Sequence, residues 1–116
     1  MNIGFIGTGK IAYSVITGIF KSKITYKRII ISPRNKKIAK SLEKKSNKVK
    51  IAKNNQEVLN LCDWVFLSVT PEVGRKIIKD LKFKSNQTII SLISTINLKQ
   101  LKKAIKVKVK LVRAIP

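Results

Sequence analysis

Asn2-Ile-Gly-Phe-Ile-Gly-Thr-Gly-Lys-Ile-Ala12 stands at the start of a chain of 116 residues and is its most informative segment. The apolar run over residues 2–6 predicts a buried β-strand, and Gly7-Thr-Gly9 ends that strand in a tight turn. From Lys10 to Lys21 apolar residues recur every four positions, which predicts an amphipathic helix. The segment therefore predicts a strand, a glycine turn and a helix in direct succession.

The same alternation of apolar runs and helical patterns continues along the chain. Further strands are predicted at 28–32, 49–52, 64–69 and 88–92, each almost continuously apolar. Helices are predicted from the N-cap Asn35 to Lys45, from the N-cap Asn55 through 56–61, from Pro71 through Val73, Ile77 and Leu81, and around Leu98, Leu101 and Ile105. Val107, Val109 and Leu111 alternate with lysines, a pattern typical of an edge strand protected from pairing with other chains.

Strands that alternate with helices at short spacing predict right-handed βαβ units and a parallel sheet. We expect an α/β, doubly wound, mostly parallel sheet of about six strands. The length of the chain allows one hydrophobic core, so residues 1–116 are expected to form a single domain.

The chain is strongly basic, with 26 Lys and Arg against 5 Asp and Glu and a formal charge of +21. Such a charge raises nucleic acid or an anionic membrane as partners. The lysines, however, spread over every segment, only four residues are Arg, and aromatic residues do not interleave with basic ones. General solvated charge is the favoured interpretation, and no specific nucleic-acid or membrane partner is expected.

Composition also restricts the chemistry of the chain. There is one cysteine, Cys62, and no histidine, which excludes an internal disulfide and a catalytic Cys–His pair, and no metal site is expected. Cys62 and Trp64 are interpreted as packing residues, Trp64 in the core or at an interface. The longest charge-free stretch, 85–98, is too short and polar to span a bilayer, and no secretory signal is expected, so a cytoplasmic location is predicted.

Gly7-Thr-Gly9-Lys-Ile-Ala12 has the form G-x-G-x-x-A and lies between a predicted strand and a predicted helix. In the dinucleotide-binding (Rossmann) arrangement the first glycine permits the turn, the second admits a pyrophosphate, and a small third residue lets helix and strand pack closely. The helix N-terminus then offers free N–H groups to the phosphates. The motif predicts a dinucleotide site at this turn.

The end of the second strand bears on which dinucleotide binds. Sites for NAD commonly have an acidic residue there, but this chain reads Ser32-Pro-Arg34-Asn35, and Glu43 is the first acid after the strand. Ser32 and Asn35 can hydrogen-bond a phosphate, and Arg34 can pair with it through two N–H groups. We therefore predict NADP(H) as the cofactor. Val69-Thr70-Pro71 and Ser94 follow two other strands and are expected to line the nicotinamide side.

With these motifs, the whole chain resembles the N-terminal domain of pyrroline-5-carboxylate reductases, the enzymes of the last step of proline biosynthesis. The resemblance rests on the opening segment to Ala12, on 32–35, on Asn55, on 63–71 and on the closing 112–116. It departs from the family at Thr70, where Lys is usual, at Ser94-Thr95, where Ala-Gly is usual, and at Ile115, where Met is common.

The resemblance implies specific roles for these residues and for the intact enzyme. The pyrophosphate would be held by Ile6, Gly7, Thr8, Gly9, Lys10 and Ile11, the adenosine phosphate by Ser32, Arg34 and Asn35, the adenine ribose by Asn55, and the nicotinamide end by Val69, Thr70 and Pro71. NADPH would reduce a small cyclic imine, 1-pyrroline-5-carboxylate, to proline. Family members continue into a helical domain that forms a homo-oligomer and most of the imine site, so this chain alone is expected to bind NADPH but hardly to reduce substrate. No catalytic residue is assigned.

Three other interpretations remain open. The chain could belong to a different reductase, of the F420-dependent NADP oxidoreductase type or the 3-hydroxy-acid dehydrogenase type, although the latter commonly has Gly at the position of Ala12. It could be a non-catalytic NAD(P)-binding module, or it could bind polyanions through its charge. Binding measurements with NADPH, NADH and duplex DNA separate these interpretations.

Overall fold

Strands and helices alternate regularly in the computed structural model, which describes residues 1–114, so that Ile115 and Pro116 lie outside it. The six strands are β1 (Asn2–Ile6), β2 (Arg28–Ile31), β3 (Val49–Ile51), β4 (Trp64–Leu67), β5 (Thr88–Ser91) and β6 (Lys110–Arg113). The five α-helices are α1 (Lys10–Lys21), α2 (Lys36–Lys45), α3 (Asn55–Leu61), α4 (Pro71–Ile77) and α5 (Leu98–Ile105). Every predicted element is present, and most boundaries agree within two residues.

The strands form one sheet in the order β3-β2-β1-β4-β5-β6. All five pairings are parallel, with Ile3 of β1 opposite Ile29 of β2 on one side and opposite Trp64 of β4 on the other. This is the strand order of a Rossmann fold. β2 and β3 lie on one side of β1, and β4, β5 and β6 lie on its other side. The predicted doubly wound α/β fold and the edge position of the last strand are confirmed.

Two hydrophobic layers cover the two faces of the sheet. On one face α1 and α2 pack their buried residues, including Ile16 and Leu42, against Phe5 and Ile31. On the other face α3, α4 and α5 cover Ile6 and Leu67. Because alternate side chains of each central strand enter opposite layers, these strands must be apolar throughout, and this explains their continuous apolar runs.

Three local predictions are corrected. Asn54 rather than Asn55 caps α3: its Oδ1 accepts a hydrogen bond from the Glu57 N–H at 2.8 Å, so the helix begins one residue earlier. The helix that starts at Pro71 ends at Ile77 and tightens into a 3-10 turn over Ile78–Asp80, a common way for an α-helix to finish. The last strand begins at Lys110 rather than at 107: α5 ends at Lys106, which adopts a left-handed conformation (φ 69°), and residues 107–109 connect the helix to the strand.

The two packing residues predicted from the sequence have different surroundings. Cys62 is fully buried, as expected, whereas Trp64 is 41% exposed at the start of β4. Trp64 is therefore not a core residue, and its place at an interface stays a prediction. Trp64 is the first residue of its strand, and the next residue, Val65, is fully buried. None of the helices within residues 1–114 is both long and apolar enough to cross a bilayer.

Candidate functional site

The candidate site lies at the carboxyl ends of β1 and β4, where the strand order reverses. β1 continues into α1 on one face of the sheet, whereas β4 continues into α4 on the other face. The two connections therefore diverge and leave a crevice between them. Open α/β sheets bind ligands at such a crevice.

Gly7 makes the turn that opens this crevice. Its φ is +98°, a region that residues with a Cβ rarely adopt, and a Cβ there would lie 2.5 Å from the carbonyl oxygen of Ser68. The loop after β1 thus passes directly against the end of β4. Only glycine fits at this position.

Gly9 leaves the N-terminus of α1 open. It is the N-cap residue, and no side chain caps the helix, whereas Asn35, Asn54, Thr70 and Asn97 cap the other four α-helices through their side chains. A Cβ on Gly9 would meet no atom within 4 Å. The first N–H groups of α1 therefore face free space, which suits a phosphate because both the N–H groups and the helix dipole favour an anion.

Two adjoining grooves of about 460 and 280 Å³ run along the crevice and share Gly9 and the segment 68–70. The larger is lined by Gly9, Lys10, Ile11, Ser68, Val69, Thr70, Pro71, Leu92 and Ser94. The smaller is lined by Gly7, Thr8, Gly9, Arg34, Asn35, Ser68, Val69, Thr70 and Val73. The volume of the larger groove is in the range of small-molecule sites, and the position of the two grooves on both sides of the glycine loop matches a long, two-ended ligand.

The end of the smaller groove carries positive charge. Arg34 is exposed and lines the groove beside the glycine loop, and Asn35 uses its Oδ1 to cap α2 at Ile38, which leaves its amide group to donate elsewhere. Within residues 1–114, the one ion pair is Lys76–Glu72 at 3.9 Å, so Arg34 has no carboxylate partner there. This end of the groove can accept an anionic group.

The larger groove ends among hydroxyl groups and short side chains. Thr70 is exposed, and its Oγ1 accepts a hydrogen bond from the Val73 N–H at 3.4 Å, which caps α4. Ser94 is exposed in the loop after β5, where its carbonyl oxygen accepts a hydrogen bond from the Arg113 guanidinium. The predicted residues of the nicotinamide side thus come together in one groove.

Four predicted site residues do not line either groove. Ile6 and Ala12 are fully buried, and Ser32 is buried with its hydroxyl directed to the glycine loop, where it accepts a hydrogen bond from the Gly7 N–H at 2.9 Å. Asn55 is half-buried in the first turn of α3. Direct contacts of these four residues with a cofactor stay predictions.

The structure adds three lining residues that the sequence analysis did not select: Ser68, Val73 and Leu92. Ser68 and Leu92 are the residues that directly follow β4 and β5, so the carboxyl-edge argument applied to Val69 and Ser94 would have included them. Val73 has no such signal, because its position depends on how α4 leaves the sheet.

Other reactive groups lie away from the grooves. Burial raises the pKa of the Cys62 thiol to about 12, so the thiol remains protonated and unreactive near neutral pH. No group of three or more Cys, His, Asp or Glu side chains that could hold a metal ion occurs in the part of the chain that the structure describes.

Comparisons with known proteins agree with this geometry. Residues 2–97 match the family described as NADP oxidoreductase, coenzyme F420-dependent. A pyrroline-5-carboxylate reductase of Arabidopsis thaliana is 30% identical over 101 residues, which are 85% of this chain and 37% of the relative. The resemblance to the N-terminal domain of these reductases is thereby confirmed.

Two solved structures of reductases are also similar to this chain. The 1-pyrroline-5-carboxylate reductase from Streptococcus pyogenes has a TM-score of 0.79 and 31% identity, over 100% of this chain and 42% of that chain. A pyrroline carboxylate reductase from Plasmodium falciparum, solved with NADP bound, has a TM-score of 0.73 over 90% of this chain and 38% of that chain; at 20% identity it supports the fold alone. The chain spans less than half the length of these relatives.

Proposed function

The chain belongs to the family of NADP oxidoreductases described as coenzyme F420-dependent, and from that premise we propose that it is the NADP-binding domain of a reductase. The proposed enzyme uses NADPH to reduce 1-pyrroline-5-carboxylate to L-proline. The proposal rests on the matching reductases, each of which is more than twice as long as this chain, and on the geometry of the crevice.

The observation that carries the proposal is the open N-terminus of α1. Gly9 provides a cradle that a Cβ would partly fill, and the helix behind it has no side-chain cap. A pyrophosphate fits this cradle, because it supplies the acceptors that the first N–H groups of the helix lack. The residues present therefore suit a dinucleotide.

Arg34 and Asn35 would select the phosphorylated form of the dinucleotide. An additional phosphate on the adenosine ribose would meet the Arg34 guanidinium and the Asn35 amide group at the end of the smaller groove. A carboxylate at the end of β2, which would repel that phosphate, is absent from the sequence up to Glu43. NADPH is therefore the expected cofactor.

The larger groove would hold the nicotinamide end. When bound, NADPH supplies the hydride, and the chain contributes by fixing the position of the nicotinamide and by excluding water from one side of it. The hydroxyl groups of Thr70 and Ser94 and the side chains of Val69 and Leu92 are the groups available for this task. We propose no catalytic proton donor among them.

Location and assembly belong to the same proposal. A cytoplasmic homo-oligomer, with residues 1–116 as its dinucleotide-binding domain, is what the resemblance to the reductases implies. Gel filtration of the full natural protein with light scattering measures the assembly directly.

Isothermal titration of the chain with NADPH and NADH tests the proposed cofactor. We expect NADPH to bind more tightly than NADH. Arg34→Ala should weaken NADPH binding about 10- to 100-fold, because hydrogen bonds to charged groups contribute roughly 1.5–3 kcal/mol, while NADH binding should change less than about twofold.

Arg28→Ala is the matched control. Arg28 is also exposed, but it is the first residue of β2 and so lies at the opposite end of the strand, and the substitution removes the same charge. It should leave both affinities unchanged. Equal losses in the Arg28 and Arg34 variants would show that net charge, and not a phosphate site, drives binding.

A reductase of coenzyme F420 is the second candidate, because the matched family is described by that coenzyme. An assay of the full natural protein separates the two candidates. Oxidation of NADPH with 1-pyrroline-5-carboxylate supports the first, whereas oxidation of NADPH that requires F420, with no turnover of the imine, supports the second.

A further inference from the structure

Two serine hydroxyl groups hold the backbone of Gly7 from opposite sides. We propose that Ser32 and Ser68 are positioning residues that fix the glycine loop in its ligand-binding shape before the dinucleotide arrives. The inference rests on the proposed function, because the loop they fix is the proposed pyrophosphate site.

The first anchor is a short hydrogen-bond chain at the end of β2. The Ser32 Oγ accepts from the Gly7 N–H at 2.9 Å and lies 2.9 Å from the Thr8 Oγ1, which donates to the Ser32 carbonyl oxygen at 2.7 Å. Since the single Thr8 hydroxyl proton goes to that carbonyl, the Ser32 hydroxyl must donate to Thr8. Both residues are at most 3% exposed, so water does not compete for these bonds.

The second anchor comes from the end of β4. The Ser68 Oγ donates to the Gly7 carbonyl oxygen at 2.7 Å and lies 3.1 Å from the Ile6 carbonyl oxygen. The Gly7 N–H belongs to the peptide plane before the Cα of Gly7, and the Gly7 carbonyl belongs to the plane after it. Ser32 therefore holds the plane before the Cα through the Gly7 N–H, and Ser68 holds the plane after it through the Gly7 carbonyl and also contacts the Ile6 carbonyl of the first plane. Together the two serines fix the φ of +98° at Gly7.

This arrangement assigns a different task to Ser32 from the one predicted from the sequence. Its hydroxyl already accepts one hydrogen bond and donates another inside the protein, and the residue is 1% exposed. A direct contact with the adenosine phosphate would break this chain. The positioning role instead keeps the Gly7 N–H occupied and fixes the path by which the chain enters α1, whose first N–H groups have no side-chain cap.

The two roles predict different cofactor dependence. A serine that contacts the adenosine phosphate affects NADPH alone, whereas a serine that shapes the pyrophosphate loop affects NADPH and NADH equally. We expect Ser32→Ala and Ser68→Ala each to weaken both cofactors by the same factor, roughly fivefold, as for the loss of one neutral hydrogen bond. Isothermal titration measures all four affinities.

Ser91→Ala is the matched control for these variants. Ser91 is fully buried at the carboxyl end of β5, and its Oγ accepts a hydrogen bond from the Ile93 N–H at 3.2 Å. The substitution removes the same kind of bond at the same edge of the sheet without contact to Gly7. It should leave both affinities unchanged.

The outcomes separate this inference from the proposed function. If the unsubstituted chain fails to bind NADPH, the proposed function fails and the inference with it. If the unsubstituted chain binds NADPH, then a Ser32→Ala effect confined to NADPH, or unchanged affinities in both variants, overturns the inference alone.

Hydrogen exchange on the unsubstituted chain tests the anchors without any variant. In the free protein the Gly7 amide should exchange at least tenfold more slowly than the Gly9 and Lys10 amides, and NADPH should slow the latter two. Equal exchange at Gly7 and Gly9 in the free protein would show that the loop is not held and would overturn the inference.

Discussion

Alanine at Gly7 and alanine at Gly9 should have opposite consequences, although the two glycines are separated by one residue. Gly7 has a positive φ and faces the Ser68 carbonyl, so Gly7→Ala should lower stability. Gly9 has a φ of −100° and open space around it, so Gly9→Ala should fold but should bind the dinucleotide more weakly. The pair separates the structural glycine of the motif from the ligand-binding one.

The magnitudes follow from the surroundings of each added Cβ. At Gly7 the left-handed conformation costs an L-residue roughly 1–2 kcal/mol, and a contact of 2.5 Å with fixed backbone adds about 1–3 kcal/mol of overpacking. The total, about 2–5 kcal/mol, is a large part of the 5–15 kcal/mol that is typical of a domain. At Gly9 the replacement of an N-cap glycine costs about 1 kcal/mol or less.

Chemical denaturation followed by fluorescence of Trp64 measures the free energy of unfolding, and isothermal titration measures NADPH affinity. Gly9→Ala should weaken NADPH about 10- to 100-fold, because the phosphate must move to avoid the new methyl group at a cost of roughly 1–3 kcal/mol. Gly18→Ala is the control, since Gly18 is exposed in α1 with no atom within 4 Å of its added Cβ.

Two results would refute this reasoning. Equal unfolding midpoints for the unsubstituted chain and Gly7→Ala would show that the loop does not adopt the tight turn against β4. Unchanged NADPH affinity in Gly9→Ala would show that the ligand does not approach the N-terminus of α1.

Three further predictions concern stability. Gly18→Ala should raise the free energy of unfolding by about 0.5–1 kcal/mol, because glycine is unfavourable in a helix interior; a lower midpoint in denaturation contradicts this. Asn54→Ala should lower the free energy of unfolding by about 1 kcal/mol through loss of the α3 cap, whereas Asn55→Ala should lower it much less. A larger loss of stability in Asn55→Ala than in Asn54→Ala would show that Asn55 is the cap. The raised pKa of Cys62 disfavours its thiolate in the folded state, so the free energy of unfolding should fall as pH rises from about 9.0 toward about 12. The urea midpoint should fall less over this pH range in Cys62→Ala than in the unsubstituted chain. An equal fall of the midpoint with pH in both proteins contradicts this.

The sheet and the glycine loop were predictable from the sequence because their signals are local and strong. Parallel strands buried on both faces must be apolar at every position, so their runs are visible without knowledge of their partners. The glycine motif is equally visible, since a strand, a turn with positive φ and an uncapped helix require glycine at Gly7 and favour it at Gly9.

The details that the sequence did not reveal depend on distant contacts. Asn54 and Asn55 are equally suited to cap a helix by residue type, and only the structure, in which the Asn54 Oδ1 accepts from the Glu57 N–H, distinguishes them. Trp64 is expected in the core or at an interface, and only the structure shows that it is 41% exposed and so not in the core. The anchors at Gly7 join Ser32 and Ser68, which lie 25 and 61 residues from it, and no local pattern indicates such pairs.

A crystal structure of the chain grown with NADPH tests the central claim most directly. We predict electron density for the pyrophosphate over the N-terminus of α1, with the adenosine phosphate beside Arg34 and the nicotinamide toward Ser94. Density for NADPH elsewhere on an intact fold, or the nicotinamide at Arg34, would contradict the account.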